Sequence, residues 1–152
     1  MRGITFVDQK VTPQDDGRLY AAIFEDGIIY GCKFSSAGYT LTISSGHMII
    51  AGKQVKFPSA QNIAVSGATE GYARIVLVID LNQLSTETIF EQIYTRVEYS
   101  QAIDGFPALI QQDINGAGIK YQCELAICSL SKNGIDAIVS KIQTAEFKEA
   151  AI

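Results

Sequence analysis

The chain has 152 residues, of which 47% are hydrophobic and only 18% charged, with 12 Lys or Arg against 16 Asp or Glu. A domain of that length buries about 68–70% of its unfolded surface in one core, and so apolar a composition excludes a disordered polymer. A net charge of −4 does not suit a reader of phosphate backbones and no Lys/Arg run offsets it, so nucleic acid is not an expected partner.

No segment approaches the run of about 20 apolar residues that a membrane helix needs, so a membrane is not expected either. The N-terminus, MRGITFVDQK, has neither an apolar h-region nor a small-residue cleavage site, which points to synthesis in the cytoplasm. The cysteines are Cys32, Cys123 and Cys128, an odd number without a C-x-x-C pair, which suits neither a disulfide framework nor a zinc site. They read as small buried hydrophobes, and the five-residue spacing of Cys123 and Cys128 puts them on opposite faces of one continuous strand.

Taken in chain order, residues 3–7 read as a short strand. Thr12 and Pro13 then start a helix, with Thr12 as N-cap and Asp15 and Asp16 in the first turn, where the dipole favours acids. Leu19, Ala22 and Ile23 follow at helical spacing, and Gly27 is placed to end the helix in the left-handed conformation. From Ile28 the period becomes two. Tyr39, Leu41 and Ile43 alternate with Thr40, Thr42 and Ser44, and Val55 and Phe57 alternate with Gln54 and Lys56 up to Pro58. Between these runs, residues 48–50 form a strand, and Ile63 and Val65 continue the alternation up to Gly67.

Arg74 and Asp80 bracket residues 75–79, an unbroken apolar run that must be covered on both faces, by a second sheet and by the N-terminal helix or another subunit. Asp80, capping it, is expected to be solvated. Residues 89–99 read as another strand. Residues 101–118 contain Asp104-Gly105, Pro107 and Asn115-Gly116 and read as a long loop, expected to present contacts to a partner. In residues 120–128, Tyr121, Cys123, Leu125 and Ile127 line one face, opposite Lys120, Gln122 and Glu124. Asn133-Gly134 signals a hairpin returning along residues 135–139, and residues 141–152 form a tail or short helix after a single β-rich domain over residues 1–140. The fold expected is mainly β, an antiparallel sandwich or barrel-like domain with one N-terminal α-helix.

Catalytic chemistry finds no purchase. His47 is the only histidine and has no Ser, Cys or carboxylate at a catalytic spacing. Cys32 has no activating cation, since Lys33 points to the other side of the strand on which both are expected. Asp15-Asp16 reads as helix-start charge and Glu25-Asp26 as a polar helix end, so neither is an acid/base couple for glycoside hydrolysis. Phosphate-binding glycine patterns and the Asp-rich calcium loop are absent from the sequence, so no catalytic residue, cofactor or metal is expected. An unrecognised hydrolase would have to gather acidic groups that are distant in sequence. More informative are two uncharged stripes, Thr40, Thr42 and Ser44, and Asn62, Ala64 and Ser66, which are cheaper to desolvate than charged rows. With the doubly apolar strand, they point to a homo-oligomer.

In order along the chain stand GITF, LYAAIFEDG, GIIYG, TLTISSGHMIIAGKQVKF, ARIVLVIDL and YQCELAICSL. Over residues 1–140 this order resembles a group of phage and prophage virion proteins of Gram-positive bacteria, at the tail tip, baseplate or fibre base. They share helix, GI-x-x-G, strand, G-x-x-x-I-x-G and an R-I-V-L strand. The family glycines fall on Gly27, Gly31, Gly46 and Gly52, and Gly46 and Gly52 are expected to turn the chain at either end of residues 48–50. The resemblance implies a non-enzymatic structural protein of the virion, often a trimer, docked to other tail or baseplate proteins. A second reading is a receptor- or carbohydrate-binding module contacting the host surface, for which Tyr94, Tyr99 and Phe106 are the candidate ligand-contact aromatics.

Overall fold

The computed structural model describes residues 1–66 and 70–149. Gly67, expected to end an alternating run, lies outside the described residues, as do residues 150–152 of the tail. Helix α1 spans Pro13–Ile23, and the strands are β1 (Gly27–Gly31), β2 (Phe34–Ala37), β3 (Thr40–Ile43), β4 (Gly46–Ile50) and β5 (Lys53–Phe57), then β6 (Gln61–Ala64), β7 (Gly71–Asp80), β8 (Ile93–Ser100), β9 (Lys120–Ser131) and β10 (Gly134–Ser140). The domain is mainly β. Three antiparallel sheets have the orders β1-β4-β5, β2-β3-β6 and β10-β9-β7-β8.

α1 starts as its sequence dictates. Thr12 Oγ1 accepts from Asp15 N–H at 3.2 Å and the Asp15 carboxylate accepts from Thr12 N–H at 3.0 Å, a reciprocal capping box. The Thr12 backbone and hydroxyl bonds hold Asp15 below the usual carboxylate range. The buried face is not the expected one. Gly17 is buried, with Tyr20 and Ala21 half-buried, whereas Leu19 and Ile23 are exposed. Contact here is backbone to backbone: a Cβ on Gly52 would overlap the Gly17 carbonyl, so the small side of the helix faces the body. The helix ends at Phe24, in extended conformation, and Gly27 is a buried strand residue rather than a left-handed cap.

The core lies between the four-stranded sheet and the two smaller ones, giving a sandwich-like arrangement. Leu41 and Ile43 of β3, with Met48, Ile50, Val55 and Phe57 of the β4–β5 pair, meet Ile75, Leu77 and Ile79 of β7 and Leu125 of β9. The β4–β5 hairpin turns on Ala51 (φ +49°) and Gly52 (φ +77°), the two successive left-handed residues of a type I′ turn. Gly46, expected at a sharp turn, is the extended first residue of β4. At the β9–β10 hairpin the loop residues are Lys132 and Asn133, and Gly134 already pairs with Ser131.

A bulge in β9 explains another departure. Ile75 pairs with Ala126 and Val76 with Glu124, so Leu125 is the extra residue. The phase shifts there: Tyr121, Cys123 and Leu125 face the core, then Cys128 and Leu130 do, and Ile127 lies opposite Arg74 on the outer side. The two cysteines therefore share a face, contrary to the continuous-strand expectation.

Four further expectations are corrected. Residues 3–7 form bends and a turn rather than a strand, with Phe6 and Val7 exposed, because the run finds no strand to pair with. β8 begins at Ile93, and residues 89–92 belong to the connection before it. Cys32 and Lys33 lie in the link between β1 and β2, with Cys32 at φ +53°, and not on one strand. The described tail is extended and tied to β1, not helical: Ile28 N–H donates to Gln143 O at 2.7 Å and Ala145 N–H donates to Ile28 O at 2.8 Å.

Candidate functional site

The outer face of β7 is covered by the chain itself, neither by α1 nor by a second subunit. Val76 and Val78 are fully buried there. The segment after β8 passes by Arg74 and pairs beside the start of β9, where Ile110 N–H donates to Gln122 Oε1 at 2.9 Å and Gln122 N–H donates to Ile110 O at 2.8 Å. The 101–118 loop thus has a structural duty within the chain. Arg74 fastens it. Its side chain, 6% exposed, donates from Nε to Glu98 Oε1 at 2.8 Å, from Nη1 to Glu124 Oε2 at 3.3 Å and from Nη2 to Pro107 O at 2.7 Å. The Phe106 ring lies 5.0 Å from the guanidinium carbon.

That geometry separates the candidate aromatics. Phe106 is half-buried against Arg74. Tyr94 pairs with Val78 on the same outer face, four residues or about 13 Å along the strand from the Arg74–Glu98 pair. Tyr99 pairs with Ala73 on the core-facing side, and its hydroxyl accepts from Ser66 N–H at 2.6 Å. No shared platform gathers the three.

Two other acids expected at the surface are internal braces. Asp26 accepts from Ala51 N–H at 2.7 Å and from the Tyr121 hydroxyl at 2.6 Å, tying β1, the β4–β5 turn and β9 together. Burial first, then the Asp26 carboxylate, pushes the Tyr121 hydroxyl far above its ordinary value. Asp80 is buried, accepting from Asn82 N–H at 3.0 Å with Lys120 Nζ at 3.9 Å.

Gly27, Gly31, Gly46 and Gly52, the glycines singled out in the sequence, serve close approach between backbones. Gly31 and Gly46 are register partners, and a Cβ on Gly46 would meet the Tyr30 carbonyl and Cys32. A Cβ on Gly27 would meet the backbone of Ala145 where the tail crosses β1. His47 stands edge-on to Tyr30, ring centroids 6.1 Å apart, with Nε2 buried and unpartnered. All three thiols are buried, and burial pushes Cys123 up to about 12 and Cys128 to about 11, away from nucleophilic character. Among the described residues no group of three or more His, Cys, Asp or Glu is placed to hold a metal.

What the fold does assemble is an uncharged sheet face. β3 pairs with β6 so that Thr42 lies opposite Asn62 and Thr40 opposite Ala64, and the Thr42 hydroxyl bonds to Asn62 Oδ1 at 2.8 Å. β2 extends the face with Ser35, opposite Thr42, and Ala37, opposite Thr40. The two stripes seen separately in the sequence are thus one surface without an ionisable side chain. On another side of the sandwich, a groove of about 570 Å³ runs beneath the start of β8, lined by Phe57, Leu77, Phe90 and Tyr94.

No protein-family model matches the chain, and no curated protein matches it either.

Proposed function

We propose that the chain is a non-enzymatic structural protein of a phage or prophage virion, a tail, baseplate or fibre-attachment component that assembles with copies of itself and docks to other tail proteins. The observation that carries the reading is the uncharged face of β2, β3 and β6, where Ser35, Thr40, Thr42 and Asn62 stand side by side. Hydroxyls and amides on such a face need only one partner each to be buried, whereas each buried charge costs several kcal/mol. The resemblance of residues 1–140 to Gram-positive phage tail proteins supplies the biological setting, and with it the expectation of a trimer and of a place in the virion.

Mass spectrometry of virions purified after prophage induction tests this. Peptides of this chain in intact particles are expected, and Thr42→Glu with Ala64→Lys should remove the chain from them while leaving it folded. Intact virions lacking the chain overturn the reading. The receptor- or carbohydrate-binding alternative calls for an exposed aromatic cluster, and Tyr94, Tyr99 and Phe106 do not form one.

A further inference from the structure

The four-stranded sheet has two unlike edges. At β10 the β2–β3 turn closes the sheet: Ile135 N–H donates to Gly38 O at 2.8 Å and the Tyr39 hydroxyl to Ser131 O at 2.6 Å. At β8, among the described residues, no strand pairs with the outer edge. This is also the longest open edge, eight residues against five in β5 and four in β6. Proteins blunt such edges with Pro, Lys, a bulge or a short strand. β8, Ile-Tyr-Thr-Arg-Val-Glu-Tyr-Ser, has no Pro, Lys or bulge, its only charges are the mutually bridged Arg96 and Glu98, and its register with β7 runs unbroken from Ile93 to Ser100. Leu84, Ile89 and Phe90 in the preceding connection are exposed, as are Tyr94 and Tyr99 on the strand itself.

We propose that two copies of the chain join β8 to β8, antiparallel about a two-fold axis through Val97, into one continuous eight-stranded sheet. The charges select this register. Arg96 and Glu98 project together on the outer face, bridged at 2.8 Å within the strand. About an axis at Val97, Arg96 of each copy lies opposite Glu98 of the other, giving two complementary pairs at once. Moving the axis one residue either way sets Arg96 against Arg96 or Glu98 against Glu98, which are like charges directly opposite. Axes midway between residues would set core-facing side chains against outward-facing ones. At the favoured register Val97 meets Val97, Thr95 meets Tyr99 and Tyr94 meets Ser100. The second copy also closes the open side of the sandwich above the groove at Phe57 and Phe90.

The inference rests on the building-block reading for the need to self-associate, but it fixes a contact that closes at two copies. Sedimentation of the full chain at tens of micromolar should give a dimer. Arg96→Glu, at a side chain 42% exposed, should weaken it at least tenfold while the far-UV circular dichroism stays that of the wild type, and Arg96→Lys should retain it. A short thiol cross-linker should join Tyr94→Cys to Ser100→Cys when the two variants are mixed, and neither variant to itself. That readout still decides if Arg96→Glu fails to fold. A monomeric wild type overturns both this contact and self-assembly. A trimer, or an oligomer indifferent to Arg96→Glu with no mixed cross-link, overturns the contact alone and leaves the building-block reading in place.

Discussion

Removing the Arg74 side chain should cost this domain about 4 kcal/mol. In Arg74→Ala the Glu124 carboxylate, its side chain 24% exposed, loses its cation, Glu98, 14% exposed, keeps only Arg96, and Pro107 O loses a charged donor. Breaking a buried ion pair costs about 3–5 kcal/mol, because the remaining charge is left without compensation. The Glu124 bond is long and its carboxylate partly wet, so the lower end, about 3 kcal/mol, applies to the charges. The contact with Phe106 adds about 1 kcal/mol. In a domain of this size 1 kcal/mol corresponds to about 2–4 °C, so unfolding should move down by about 8–16 °C. Urea denaturation reads the free energy, and amide exchange at Ile110 and Gln122 reads the loop, which should open before the sheet does. Replacing Arg74, Glu98 and Glu124 together with Leu should recover most of the loss, since an apolar set leaves no orphaned charge. A loss below about 1 kcal/mol for Arg74→Ala, or no change in exchange at Ile110, would refute the claim that this ion cluster clamps the loop.

Gly52→Ala should cost about 2 kcal/mol or more, since an L-residue at φ +77° is strained by about 1–2 kcal/mol and its Cβ would overlap the Gly17 carbonyl. A thermal melt checks it, and an unchanged midpoint would mean that α1 can retreat freely. The buried thiols predict alkaline lability. Unfolded thiols ionise near pH 9, but Cys123 and Cys128 hold their protons to about 12 and 11, so above pH 9 the unfolded state binds fewer protons and stability falls. By pH 10 the two together remove about 3 kcal/mol, full stability being kept below pH 8. Urea midpoints between pH 8 and 10 measure this, and Cys123→Ala with Cys128→Ala should flatten the slope.

Local chemistry in the sequence was sufficient for α1 and for the interiors of most strands, though not for residues 3–7 or the start of β8. The Thr12–Asp15 capping box, the alternation around Leu41 and Ile43, and the apolar run of β7 all depend on neighbours within a few residues. What escaped were features decided across the fold. Which stripe of α1 is buried depends on how near the β4–β5 turn approaches, so Gly17 goes inward and Leu19 outward. The bulge at Leu125 exists only in relation to Ile75 and Val76, and without it Cys123 and Cys128 appear to oppose each other. Arg74 read as the end of a hydrophobic run because its partners lie 24 and 50 residues away. One signal was available. A lone Arg entering a doubly apolar strand must be neutralised, and Glu98 and Glu124 stand on neighbouring strands with outward phase.

Two apolar faces on β7 do not by themselves require a second copy, since the single chain already buries Val76 and Val78. The self-association proposed above is therefore placed where the chain's own segments stop. The tail occupies the edge of β1 and the β2–β3 turn occupies that of β10, each with backbone hydrogen bonds. β8 receives neither, although its connection to β7 carries exposed Ile89 and Phe90 and could have been folded over it. Low charge then acts through position rather than through the total. The uncharged face of β2, β3 and β6 permits docking against many polar surfaces, whereas the single Arg96–Glu98 couple on β8 accepts only one arrangement of like with like. If the proposed building-block role holds, recognising its own copies and fitting among other proteins would call for one surface of each kind.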